Sequence, residues 1–146
     1  MGNTMKYGLK IFFSIGALFL GMNLLGLGHV SELRAANIIF VVYFTNQLAS
    51  ANKVDDDNIT YTSNLLSLFL ANFIAVVLCI IGVIVFVNLL PSYLEVISVG
   101  AIWANTESLM QLVVALFFEG MAGSAIVSFS LMQYWKNVKR KRTTLP

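Results

Sequence analysis

The sequence predicts an all-α, polytopic membrane protein: a four-helix bundle with a short outer interfacial helix between the third and fourth spans. Three observations lead there. The 146-residue chain is 58% hydrophobic and 11% charged, against roughly 45–50% and about 25% for an ordinary soluble domain. Its mean hydropathy is +0.82. Long, nearly charge-free stretches recur at lengths that suit the roughly 20 residues a helix needs to cross a bilayer. This composition excludes a disordered tail, a nucleic-acid binder and a conventional soluble enzyme. One cysteine excludes an internal disulfide framework, and one histidine beside it leaves no His/Cys metal cluster. The length allows one domain.

The spans are expected near 8–29, 34–52, 64–90 and 106–135, followed by a basic tail over 136–146. The first contains the uncharged run Ile11 to Gly28, and the third the uncharged run Leu65 to Leu90. The fourth, from about Leu109 to Trp135, holds one charge, Glu119. The second, Ala35 to Ala51, is the weakest, because Thr45, Asn46 and Gln47 follow its apolar core at once. Charge distribution decides for it. If it crosses, Lys6, Lys10, Lys53 and the tail residues Lys136, Lys139, Arg140, Lys141 and Arg142 share one side, leaving only Arg34 opposite. The positive-inside rule makes that side cytoplasmic. With three spans, either Lys6 and Lys10 or the basic tail would lie outside.

Local signals agree. Ser31 with Glu32 suits the start of the second helix, and Thr60, Thr62 and Ser63 offer caps for the third. Pro91 stops the third helix, and Asn105 with Glu107 makes a cap and first-turn acid for the fourth. Ser92 to Ala104, carrying Tyr93 and Trp103, is too short to span and reads as the interfacial helix. Tyr7, Tyr61, Tyr134 and Trp135 fall near the expected membrane boundaries. Gly2 lacks the Ser or Thr at position 6 that myristoylation requires, since Lys6 stands there. The sequon Asn58-Ile59-Thr60 faces the cytoplasm in this topology.

Small and polar residues mark contacts between membrane helices. In the first helix Ser14, Ala17, Gly21 and Gly28 share one side, with Gly16 and Asn23 opposite. The second aligns Asn37, Val41, Thr45, Leu48 and Asn52. The third carries the stripe Ser67, Ala71, Ala75, Cys79 and Gly82 with Asn72 beside it, and Cys79 reads as a small packing residue. In the fourth, Ser108, Gln111, Ala115, Glu119, Ala122, Gly123, Ser130 and Gln133 form a polar and small stripe expected to face protein or water. Gly120 adds a small residue next to its centre.

Glu119 is the one ionisable side chain inside an apolar run, where a carboxylate is unfavourable by about 2.5–3.5 kcal/mol on insertion scales. Two roles fit it: a proton or cation site, or a hydrogen-bonding clasp to Asn23, Asn46, Gln47, Asn72 or a partner's helix. The basic tail reads as a membrane-surface anchor. Glu95 and Glu107 read as solvated helix-end acids, and Asp55, Asp56 and Asp57 as a solvated turn. No convergent acid–base pair, phosphate loop or metal motif appears, and His29 lies far from Glu119 in depth, so neither an enzyme nor a cofactor is expected. The expected partners are the lipid bilayer and other membrane-protein subunits, and the first expectation for location is the bacterial inner membrane. Function is expected to be that of a small non-catalytic subunit of a larger transport, secretion or energy-coupling complex. The alternative is a stand-alone homo-oligomeric transporter or channel using Glu119, its route lying between protomers.

Overall fold

The computed structural model describes residues 2–27, 36–55, 59–92, 94, 97 and 108–143; in the helices, the side chains of 54–55 and 137–143 are outside it. Four α-helices make up the described fold: α1 (Gly2–Leu24), α2 (Asn37–Asp55), α3 (Tyr61–Leu89) and α4 (Leu109–Thr143). Stretches of α1, α3 and α4, the last over Leu109–Lys136, are long and apolar enough to cross a membrane. Phe13, Leu20, Ile39, Leu66, Val85, Phe118 and Ile126 are each more than half exposed. An apolar surface that broad suits lipid rather than water. The molecule is a membrane-embedded helical bundle.

The helix ends follow from their sequence. α1 stops before Gly26, whose φ of +70° is a left-handed conformation that disfavours a side chain. The amide of Gly26 donates to the Asn23 carbonyl and that of Leu27 to Met22, the paired bonds of a Schellman cap. α1 thus ends before the expected limit near residue 29. Thr60 caps α3, its Oγ1 accepting from the Ser63 amide at 3.3 Å. At α4 the cap is Ser108, whose Oγ accepts from the Gln111 amide at 3.3 Å; the expected cap, Asn105, lies outside the described residues. α4 runs on through the basic segment to Thr143. Most of the expected interfacial helix lies outside the described residues, as do His29, Ser31, Glu32, Arg34, Asp56, Asp57, Glu95, Trp103 and Glu107.

Pairings between helices fix their directions. Thr4 meets Ser67 near the starts of α1 and α3, and Phe19 meets Phe86 near their ends, so these two run parallel. Thr45 meets Asn72 while Asn52 meets Asn64, so α2 is antiparallel to α3. Asn72 reaches Ser128, and Val87 packs near Leu112, so α4 is antiparallel to α3 as well. α3 packs against the other three helices, while α1 and α4 make no more than marginal contact.

Two apolar clusters organise the interior. At the end holding the start of α1, Leu48, Ala49, Leu68, Ala71 and Met132 are buried beneath Tyr7, Leu65 and Trp135. Toward the other end, Val87, Ile97 and Leu112 are buried among Phe19, Phe86, Leu109 and Leu116. Two glycines permit close approach. A Cβ on Gly8 would come within 2.8 Å of the Ala71 carbonyl oxygen, and one on Gly120 within 2.9 Å of the Val76 side chain.

These contacts set a stability prediction. Gly8→Ala forces α1 off α3, because the atom it meets is backbone, and should destabilise by about 1–3 kcal/mol. Gly16→Ala meets nothing within 4 Å and should be neutral or more stable by about 0.5–1 kcal/mol. Thermal loss of helicity in detergent compares them, and equal midpoints would refute a tight α1–α3 contact.

Candidate functional site: an interhelical cavity above a polar base

The polar residues of the helix interiors gather in one half of the bundle. Asn52 Nδ2 donates to Asn64 Oδ1 at 2.9 Å and to Ser67 Oγ at 3.1 Å. Ser67 shares a 2.9 Å hydrogen bond with Thr4 Oγ1, so one chain of bonds joins α2, α3 and α1. A second joins α2, α3 and α4: Thr45 Oγ1 donates to Asn72 Oδ1 at 3.0 Å, and Asn72 Nδ2 donates to Ser128 Oγ at 3.3 Å. Thr45, Asn72 and Ser128 are all buried. A third clasp lies at the base, where Trp135 Nε1 donates to Asn46 Oδ1 at 2.9 Å. There Lys53 Nζ donates to the Trp135 carbonyl at 3.1 Å and sits 4.6 Å from its ring centroid, a cation–π contact.

Beyond this base a partly enclosed cavity of about 520 Å³ opens among the helices. Its wall is mostly apolar, with Phe12, Phe19, Val76, Phe86 and Leu116 among its residues. α1 and α4 stand on opposite sides, each packed on α3. Glu119 lines it, half-buried, with Gly120, Gly123 and Ser124 of the same helix. Ser124 is turned back on its own helix, donating to the Gly120 carbonyl at 2.6 Å. Asn37 also lines the cavity, and its Oδ1 is buried without a hydrogen-bond partner. The cavity lies within one chain, whereas sequence reasoning expected any route to run between protomers.

Of the residues expected to partner Glu119, Asn72 lines the same cavity. Asn72 bonds at the level of Ser128, nine residues along α4, or about 13 Å from Glu119 at a helical rise of ~1.5 Å. Asn46 bonds at Trp135, about 24 Å along the same axis. Asn72 is hydrogen-bonded to Thr45 and Ser128, and Asn46 to Trp135. Asn23 Nδ2 donates to the Phe19 carbonyl of its own helix at 3.0 Å. Gln47 is half-buried on α2, and Gln111 is exposed near the start of α4.

The packing residues divide similarly. Ala71 and Ala75 are buried in the α3 interface, Gly120 lies against Val76, and Gly82 is 3.7 Å (by its notional Cβ) from the Phe12 ring. A Cβ at Gly21 or Gly123 would meet nothing within 4 Å, so neither position packs against a neighbouring helix. Gly123 opens on the cavity instead. The α4 stripe is also not a packing face along its length: Gln111, Ala122, Ser130 and Gln133 are exposed, whereas Leu112, Ser124, Val127, Ser128 and Met132 are buried. Glu119 stands at the seam between the two. Lys136 is exposed, and Lys139, Arg140, Lys141 and Arg142 lie on the last turns of α4.

Sequence reasoning missed Gly8, Asn64, and the Lys53–Trp135 contact. Asn64 was within reach of it, because it continues the Ser67–Ala71–Ala75 line by one turn toward the start of α3. Among the described residues no group of three or more metal-ligating side chains occurs. Comparison with protein-family models, curated proteins and solved structures finds no match to this chain.

Replacing Asn72 by Leu strands the hydroxyls of Thr45 and Ser128 and should destabilise by about 1–3 kcal/mol. A double-mutant cycle with Thr45→Val should return a coupling of about 0.6–1.7 kcal/mol, the range for hydrogen bonds between membrane helices. Zero coupling would mean that this bond holds nothing together.

Proposed function

We propose that the protein is a four-span membrane protein, both termini cytoplasmic, that works without catalysis by holding a small ligand in its intramembrane cavity, as a transporter must. The carrying observation is the roughly 520 Å³ cavity with Glu119 in its wall. Its size falls in the range of small-molecule sites, and its make-up matches their pattern of apolar walls with a few placed polar groups. An intramembrane ionisable residue is expensive and is by default a functional position.

Four spans are supported by the seat of α2. It runs antiparallel beside α3, with Thr45, Leu48 and Ala49 completely buried, and its Thr45, Asn46 and Asn52 find partners on its neighbours. Those partnerships offset the low hydropathy that makes α2 the weakest span in the sequence. This topology keeps eight basic residues on the cytoplasmic side, and the interfacial segment after Pro91 then lies on the outer face. On this reading the polar base is cytoplasmic and the cavity extends from mid-membrane toward the outside.

A second reading, a non-catalytic subunit of a larger membrane complex, is favoured by the exposed side of α4. Gln111, Ala122, Ser130 and Gln133 give that surface small and polar residues of the kind that membrane helices use to meet each other.

Three measurements separate these possibilities. In a Cys79→Ala background, single cysteines at Asn3, Asp57 and Thr144 should be labelled from one side and a cysteine at Leu27 from the other. Opposite labelling of positions 3 and 144 would rule out four spans. Purification in mild detergent should yield this chain alone or as a homo-oligomer. Stoichiometric unrelated chains would favour the subunit reading. In liposomes, cation or proton flux should exceed the protein-free rate and fall to it in Glu119→Gln; flux unaffected by that substitution would remove Glu119 from the path.

A further inference from the structure

We propose that a phospholipid with a net negative headgroup binds the groove between α1 and α2, its phosphate held by Lys6 and Lys10. The site needs only the membrane-embedded fold and is independent of what the interhelical cavity holds. Along its first turns α1 carries an open groove of about 730 Å³, to whose wall Phe44 of α2 contributes. Met5, Leu9 and Phe13 line it at steps of four residues, so they stand one above another on one face of the helix. Met5 is 56% and Phe13 65% exposed. In a bilayer, acyl chains fill an open apolar groove on a spanning helix, so its polar residues decide which headgroup comes with them.

Lys6 and Lys10 both line the groove, one turn and about 6 Å apart along the axis. They come just before the uncharged run that begins at Ile11, which sets them at headgroup level. Lys10 is half-buried, its Nζ 4.6 Å from the Tyr7 ring centroid and 5.9 Å from that of Phe44. Tyr7 lies toward the start of α1, so this ammonium is drawn back toward Lys6 and the membrane surface. A lysine beside a ring retains N–H donors, so one phosphate can accept from both ammonium groups. Ser14, one turn beyond Lys10, lines the groove where the ester groups of such a lipid would lie. The acid at the end of α2, Asp55, stands eleven residues past Phe44. That is about 16 Å along the axis from the level of Lys10 and about 10 Å from that of Lys6, beyond a Debye length of about 8 Å. A zwitterionic headgroup carries its own cation beside its phosphate and gains less from two lysines than an anionic one does.

Lipid selectivity at the groove is measured locally. In a Cys79→Ala background, Ala17→Cys puts a bimane label one turn beyond Phe13 on the same exposed face, outside the groove. Ile126→Cys puts one on the exposed side of α4. Each labelled full-length protein is reconstituted in bilayers of phosphatidylcholine with graded phosphatidylglycerol, one or the other lipid carrying bromine on its acyl chains. Quenching then gives the relative affinity of the two lipids beside each label. At position 17 phosphatidylglycerol should be preferred by about fivefold or more, the factor that one lysine near the surface supplies, and at position 126 by less than about twofold. Lys6→Gln with Lys10→Gln should remove the preference at position 17, with circular dichroism confirming that the variant is folded. Lys6→Arg with Lys10→Arg should keep it. Equal affinity of the two lipids at position 17 would overturn the site. The same preference at both positions, or one that survives the paired glutamine substitutions, would assign it to the charge of the whole bundle and overturn the lysine pair as its cause.

Discussion

The side chain of Asn72 ties three of the four helices together. It accepts from Thr45 of α2 and donates to Ser128 of α4, from a completely buried position on α3. In hydrocarbon a polar side chain finds no water, so its partners have to come from the protein. That requirement seats α2, the one of these four helices without a stretch long and apolar enough to cross a membrane on hydropathy alone. With α2 in place, Leu48 and Ala49 close over Leu68 and Ala71, and the base becomes a packed layer. Without it, Asn64, Ser67 and Asn72 would form a polar row on α3 facing lipid. The same helix reaches α1 through the Asn52–Ser67–Thr4 chain and α4 through Asn46 and Trp135. α2 is thus held by hydrogen bonds where the other helices are held mainly by their apolar surface.

The cavity follows from where the helices are fastened. α1 is pressed onto α3 at Gly8 and Ala71, close to its start, and α4 onto α3 at Gly120 and Val76. Both are attached to α3 and neither packs firmly on the other, so space remains between them beyond the base. The large rings of Phe12, Phe19 and Phe86 line this space without filling it. Beyond it the chain closes again, through Val87, Ile97 and Leu112. An apolar void of this size, bounded by packed layers at both ends, is local to one level of the bundle rather than a sign of loose packing throughout.

Much of this was legible in the sequence because membrane physics is severe. The α2 alignment of Thr45, Leu48 and Asn52 is its buried face, for only a side turned away from lipid tolerates those amides and hydroxyls. The Ala71 and Ala75 positions on α3 are buried for the corresponding reason: small side chains let backbones approach. Other features depend on distances that a single helix does not encode. Gly8 is one glycine among several in α1, and only the placement of the Ala71 carbonyl distinguishes it from Gly16 and Gly21. The cap at Ser108 was obscured by Asn105, an equally good capping residue three positions earlier. On α4, small and polar residues occur on both sides of Glu119, so the sequence pattern placed the packing face about one residue away from where Leu112, Ser124 and Val127 put it.

That displacement changes the meaning of Glu119. A carboxyl at the centre of a packing face would be accounted for as a strut between helices. Here the close α3–α4 contacts are made by its neighbours, Gly120 against Val76 and Ser128 with Asn72. The carboxyl-bearing residue itself lines the cavity, next to Gly123, where no packing side chain stands in the way. Interfaces in this bundle are built from amides, hydroxyls and small residues, which do that work at far lower desolvation cost than an acid. The position that departs from this rule is Glu119, and it is set in the wall of the cavity between α1 and α4 rather than among the close helix contacts.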